Sequence, residues 1–426
     1  MSADAPRLEN PELLAAIIAT PDEDTPRLMY ADWLQENGND ARAEFIRLHI
    51  EWDRRPHYAP PNEDLKRRLI AAWEAAGLKT EGAIFERGFD SVAAFRECSD
   101  LREHGASVFG SKPVRVLYLD EGWLTTEEDD NERAQAFAEL LPILGGLTGL
   151  GASDNRYVLA DFAEELLQSP RASALRMLDF GPCAGVWDCE RIATAKDLTS
   201  LLVLDCSAAW EFDCKATVGP LVGAAHLRSL VALRFGMAND VEGFIGPDEI
   251  QTLVQSPCFT NLRQLVLNGQ VLFDDEAVRR LLHWGHIGQL EVLEISRTQV
   301  GAEGLLELSR CRQLTNLRRL VIEGYKLEPQ AIARLLDSPH LRGLRELYIH
   351  SLEEQQLPEE LSERLADRFG TFTVEGMIHD PPPVCVEDRI RGRYRLMDGS
   401  GYHYLGRDSN RDPKTNQILH PEYAIL

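Results

Sequence analysis

Several things are missing from these 426 residues, and each absence removes a class of protein. No stretch approaches the roughly 18 consecutive apolar residues of a membrane-spanning helix. Met1 to Asn10 carries acids and prolines where a secretory signal needs an apolar core, so the chain is expected to be cytoplasmic. Eight cysteines are present (Cys98, Cys183, Cys189, Cys206, Cys214, Cys258, Cys311 and Cys385), yet none forms a Cys-x-x-Cys pair. They read as reduced thiols rather than as a disulfide framework. Positive charge is also scarce: 45 basic against 69 acidic residues leave a formal charge of −24. Such a field repels phosphate backbones and anionic lipid, so neither nucleic acid nor a membrane is an expected partner. The glycine-rich run 145–151 precedes a strand-like segment and lacks the Lys-Ser/Thr of a phosphate loop, which argues against a nucleotide site.

What the sequence does have is a repeat. Apolar residues recur in the pattern Leu-x-x-Leu-x-Leu, most clearly at Leu262/Leu265/Leu267, Leu290/Leu293/Ile295, Leu317/Leu320/Ile322 and Leu344/Leu347/Ile349. Weaker copies begin at Val114, Leu147, Leu175, Leu201 and Leu230, and the first positions are spaced by 33, 28, 26, 29, 32, 28, 27 and 27 residues. Each triplet alternates like a strand and is followed by a polar turn and a helical pattern. Asp274, Asp275 and Glu276 precede one helical run, where acids suit a helix N-terminus, while Pro247 and Pro329 suit helix starts. A Ser-Pro phrase (Ser169-Pro170, Ser256-Pro257, Ser338-Pro339) stands before several strands and stops the preceding helix.

These segments resemble the longer, ribonuclease-inhibitor-type leucine-rich repeats. The resemblance implies an α/β fold: a curved solenoid with parallel strands on its concave face and helices on its convex face, about nine repeats over residues 114–376. The position eight after the first leucine, usually Asn or Cys in that family, departs from the pattern. It is Asn155 and Cys183 in two repeats but Ala209, Ala238, Gln270, Thr298, Tyr325 and Leu352 in others, so the side-chain ladder there reads as incomplete.

Ahead of the repeats, residues 1–55 read as a small all-α domain with helices at Pro11 to Ala19, Pro26 to Glu36 and Ala41 to Asp53. The phrases 25–34 (TPRLMYADWL) and 43–48 (AEFIRL) resemble the short bacterial repeat-companion domain, which accompanies leucine-rich repeats. Tyr30, Trp33 and Phe45 are expected to form its miniature core, with an Asp32–Arg47 ion pair tying the helices. The alternative, an acid–base site at Tyr30, Asp32, Trp33, Glu44 and Arg47, makes less of these residues. Residues 56–113 then read as a linker helix, Glu63 to Ala76, and a solenoid cap: one strand over Phe85 to Val92 followed by a helix over Ala94 to His104. At the other end Pro381-Pro382-Pro383 marks a break. Within 377–426 the runs Tyr394 to Met397 and Tyr402 to Leu405 read as a hairpin or tail.

Chemistry-bearing clusters are few. Cys183, Cys189, Cys206 and Cys214 fall in adjacent repeats and could surround a zinc ion, but Cys206 holds a core position and Cys183 a loop position. His283 and His286 lack companion ligands. No metal, cofactor or catalytic residue is therefore expected, and the chain reads as a non-catalytic protein-binding scaffold. Its contact residues are those between the leucines, which alternation places on the concave face: Tyr118, Asp120, Asp179, Asp205, Arg234, Asn268, Glu294, Arg319, Glu323, Glu346 and Tyr348. Valines, tyrosines and acids there suit another protein better than a phosphate. The alternative function is regulation, by inhibition or activation, of a partner enzyme.

Overall fold

The computed structural model describes residues 9–54, 63–78, 85–95, 98–119, 147–152, 166–179, 186–206, 214–235, 245–351, 357–369, 385–386 and 394–395. The chain divides into two compact units, residues 1–153 and residues 154–383, with the residues after 383 shared between the two groups.

The N-terminal unit begins with four helices: α1 (Pro11–Ala19), α2 (Asp24–Glu36), α3 (Asp40–Asp53) and α4 (Glu63–Ala75). Asn10 caps α1, its side-chain oxygen accepting from the backbone N–H groups of Glu12 and Leu13. Helix α2 starts two residues before the proline expected to open it, and its N-cap Glu23 makes no side-chain cap bond. Helix α3 is apolar on two stripes and is buried on both. Ala43, Ile46 and Ile50 join Ile17, Tyr30, Ala31 and Leu34, whereas Phe45 and Leu48 face Leu65, Leu69 and Trp73 of α4. Phe45 therefore does not share a core with Tyr30 and Trp33: it lies on the stripe that meets the linker helix. The Asp32–Arg47 pair forms at 2.7 Å, with Gln35 as a second acceptor.

Residues 85–92 are not one strand. Phe85–Glu86 (β1) and Phe89–Asp90 (β2) form an antiparallel hairpin around Arg87-Gly88, both at positive φ (48° and 86°), the geometry that matches strand twist in a two-residue turn. Gly88 is required for a second reason: a Cβ there would stand 2.8 Å from the Cα of Ile46. The turn delivers Phe89 into the helical core, edge-on to Tyr30 with ring centroids 5.5 Å apart and under the guanidinium of Arg42 at 5.2 Å. The first parallel strand is β3 (Val92–Phe95), and its helix α5 runs Cys98–Ser111, later than expected. Strands β3, β4 (Val116–Leu119) and β5 (Gly149–Ala152) pair in parallel with Ala93, Leu117 and Leu150 in register. Buried Arg115 donates to Asp22 at 2.8 Å, tying the approach to β4 to the α1–α2 turn.

The second unit is an α/β solenoid of strand-turn-helix repeats. Its seven strands are β6 (Met177–Asp179), β7 (Val203–Cys206), β8 (Ala232–Phe235), β9 (Gln264–Leu267), β10 (Val292–Ile295), β11 (Arg319–Gly324) and β12 (Glu346–Ser351), parallel and adjacent in chain order. The fourth-position leucines of the repeat stand side by side: Leu178, Leu204, Leu233, Leu265, Leu293, Leu320 and Leu347 are successive register partners. Helices α6 (Val186–Thr194), α7 (Cys214–Val222), α8 (Pro247–Gln255), α9 (Asp275–Leu282), α10 (Ala302–Arg310) and α11 (Pro329–Leu336) make the crossovers, and α12 (Glu359–Phe369) follows the last strand. Because the strands advance in one direction and such crossovers are right-handed, every crossover helix falls on the same side of the sheet.

Side chains stitch each repeat to the next in three rows. Ser256 Oγ donates to Val222 O and accepts from Cys258 N, and Ser338 repeats this with Ser309 O and His340 N; the Ser-Pro phrase is thus a lateral tie as well as a helix stop. The residue before the first leucine does the same at strand approaches, Ser229 to Thr199 O, Asn261 to Arg228 O and Asn316 to Gly288 O, at 2.7–2.8 Å. On the turn side, Gln270 accepts from Ile245 N and donates to Asn268 O, and Thr298 Oγ1 donates to Glu323 O. The ladder position that looked incomplete is filled here by other polar residues doing the same work. The remaining ladder residues, apart from exposed Tyr325, lie outside the described residues.

Candidate partner-binding face

A strand presents alternate residues to opposite sides. In the solenoid the leucines face the helices, so the intervening positions share the other face, which carries no crossover helix. Register places them in two rows. One runs Val203, Ala232, Gln264, Val292, Arg319; the next runs Asp205, Arg234, Val266, Glu294, Val321.

The expected contact residues of this face are present but are not offered as free charge. Arg234 is fully buried and lies 3.6 Å from Asp205 on the neighbouring strand. Glu294 (1% exposed) accepts from Nε of Arg319 at 2.9 Å across β10 and β11. Cross-strand opposite charges of this kind neutralise one another, so the face is an apolar strip of valines and alanine with two internal ion pairs. Asn268 is buried too and is spent on structure: its Oδ1 accepts from Ser296 N. Glu323 is half-buried and its carbonyl takes the Thr298 hydroxyl. Tyr118 lies on β4, Asp179 on β6, and Glu346 and Tyr348 on β12, with side chains outside the described residues; Asp120 lies outside them altogether.

Gln264 is a neutral polar group on the same face. Its side chain is 2% exposed, and neither its amide oxygen nor its amide nitrogen has a hydrogen-bond partner among the described residues. A buried amide left unpaired costs about 1–3 kcal/mol, so such groups in folded proteins ordinarily meet a ligand, a water or another segment. Sequence reading placed Gln264 on this face without singling it out, because polarity alone does not reveal whether a neighbour can satisfy it.

The other chemistry-bearing residues stay dispersed. Cys189, Cys206 and Cys258 are buried and in no disulfide. Among the described residues no group of three or more His, Cys, Asp or Glu side chains could hold a metal ion, and no helix is long and apolar enough to cross a membrane. In the N-terminal unit, burial raises the Tyr30 phenol above its ordinary value, and Asp32 is taken up by Arg47.

No family model matches the chain, and no curated protein matches it. Among solved structures, the crystal structure of the Rad7 and Elc1 complex in yeast is similar at 18% identity, over 84% of this chain and 85% of that chain, with a TM-score of 0.42.

Proposed function

We propose that this chain is a non-catalytic, cytoplasmic binding module that captures another protein on the strand face of its leucine-rich repeats. The observation that carries the reading is the face itself. It is a row of parallel strands on which no helix lies among the described residues, largely apolar, with its charges already paired and one buried amide, Gln264, without a described partner. A surface of that kind discriminates by shape and by the fixed polarity of its buried ion pairs rather than by net charge. The N-terminal helices serve as the repeat-companion domain that closes the first repeat, and the reading needs neither metal nor cofactor.

The test is affinity capture of the tagged protein from its native extract, with a face variant alongside. Because Glu294 and Arg319 are paired, reversing one alone would unfold the face. The informative variant is the swap Glu294→Arg with Arg319→Glu, which keeps the pair but turns its polarity. A protein retained by the natural chain and lost by the folded swap supports the reading; equal retention by both removes this face as the site.

A further inference from the structure

Charge marks out a second surface of the solenoid, apart from the strand face. Each repeat enters its strand through a short approach that follows the preceding helix. The approaches to β8, β9, β10, β11 and β12 are residues 224–231, 257–263, 284–291, 312–318 and 338–345. They carry Arg228, Arg263, Arg312, Arg318, Arg342 and Arg345 against a single acid, Glu291. At the opposite ends of the strands the first helical turns carry Asp248, Glu249, Asp275, Glu276 and Glu303. Acids in first turns and arginines in last turns answer the helix dipoles. Arg263, Arg318, Arg342 and Arg345 stand outside the helices, so that reason does not reach them, and in a chain of net charge −24 they make a local basic rim.

Backbone bonds set the rim out in order. The N–H of Glu291 donates to Arg263 O, that of Arg318 to Glu291 O and that of Arg345 to Arg318 O, so these four residues form one row across successive repeats. Glu291 is taken up by Arg263 at 3.0 Å. Arg318 donates to Gly343 O at 3.0 Å, and Arg368 of α12 donates to Leu341 O at 2.7 Å, which brings both guanidinium groups to residues 341–345. Arg342 and Arg345 of that segment are exposed, and neither has a hydrogen-bond or ion-pair partner among the described residues. Asp337, the acid just ahead of this approach, is bound by Arg364 at 2.5 Å.

We propose that this rim binds an extended acidic segment of a partner protein through carboxylate–guanidinium pairs at Arg318, Arg342 and Arg345. Planar arginine forks match carboxylates two bonds at a time. Three strand steps separate the Arg263 and Arg345 positions, about 14 Å at the usual strand spacing. Acids at three alternate positions of an extended segment span about 13 Å, so a segment laid along the rim meets it in register. A long polyanion reaches beyond the rim into the field of the remaining acids, whereas a few carboxylates within a Debye length of about 8 Å feel chiefly the arginines. The rim and the strand face are separate surfaces, so the two readings stand or fall independently.

Fluorescence anisotropy on the full chain tests this with a short labelled peptide carrying three glutamates at alternate positions. Arg342→Gln with Arg345→Gln should weaken its binding about tenfold or more, the loss expected for two charge-assisted contacts. Arg297→Gln with Lys326→Gln makes an equal charge change at the opposite strand ends and should leave binding nearly unaltered. A peptide of the same composition with its glutamates adjacent should bind several-fold more weakly. Absent binding, equal binding of the two peptides, equal loss in the two variants, or tighter binding of single-stranded DNA or phosphatidylserine vesicles overturns the proposal. If the glutamine variant fails to fold by circular dichroism, Arg342→Lys with Arg345→Lys keeps the charge and supplies amines. Carbodiimide should then couple the peptide at positions 342 and 345; coupling only elsewhere, or none, overturns the proposal.

Discussion

Breaking the Glu294–Arg319 pair probes the face most sharply. Both side chains are almost fully buried and their contact is a direct 2.9 Å bond between guanidinium and carboxylate. Removing one member strands a charge that has lost both its water and its partner, and such losses cost about 3–5 kcal/mol. Replacing both by apolar residues of similar volume is neutral or stabilising, because the desolvation penalty disappears with the charges. Arg319→Met should therefore lower the urea midpoint by roughly 1 M or more, taking a denaturant slope of about 3 kcal/mol per M. Glu294→Leu with Arg319→Met should recover most or all of that loss. Equilibrium unfolding followed by circular dichroism gives the four corners of the double-mutant cycle. A single variant as stable as the natural chain, or a double variant whose losses simply add, would refute the argument that the pair is desolvated and mutually compensating.

Other perturbations report on other levels of the structure. Gly88→Ala combines positive φ with a contact to the Ile46 backbone, so it should cost the N-terminal unit more than about 2 kcal/mol. At Gly77, also at positive φ but with open space around it, the same change should cost only about 1 kcal/mol, and thermal melts compare the two. Asp275→Ala removes an oxygen that accepts from both Gly301 N and Gly304 N of the next repeat. A loss of about 1–2 kcal/mol is expected, together with faster hydrogen exchange at those two amides. Glu276 has its carboxyl held below the ordinary glutamate value, first by its hydrogen bond to Arg280 and then by the charges of Arg279 and Arg280. A depressed acid stabilises above its unfolded value of about 4.3 and loses that contribution as pH falls through its lower folded value. Glu276→Gln should accordingly flatten the acid side of the stability profile, and an unchanged profile would contradict the assignment.

The parts of the fold legible in the sequence were those set by period. Leucines spaced four and six positions into each repeat located the strands, and in the described pairs the fourth-position leucines stand in register. Asp274, Pro247 and Pro329 marked helix starts for local reasons of capping and fixed φ. The hairpin at Arg87-Gly88 was hidden because arginine is an unusual first residue for such a turn and the flanking runs are short. The bonds of Gln270 and Thr298 escaped notice because the function of the ladder position was read from residue type, whereas any polar side chain of suitable reach can perform it. At the face, alternation told which residues share a side but not whether that side is covered. Asp205, Arg234, Glu294 and Arg319 therefore read as open contacts when they are buried pairs.

The central claim is that the strand face receives a protein, and the most direct measurement is affinity capture by the natural chain and by the Glu294→Arg, Arg319→Glu swap, with folding of both checked by circular dichroism. The account predicts a specific protein held by the natural chain and absent from the swap. The same protein held equally by both would contradict it and move the binding surface off the strands.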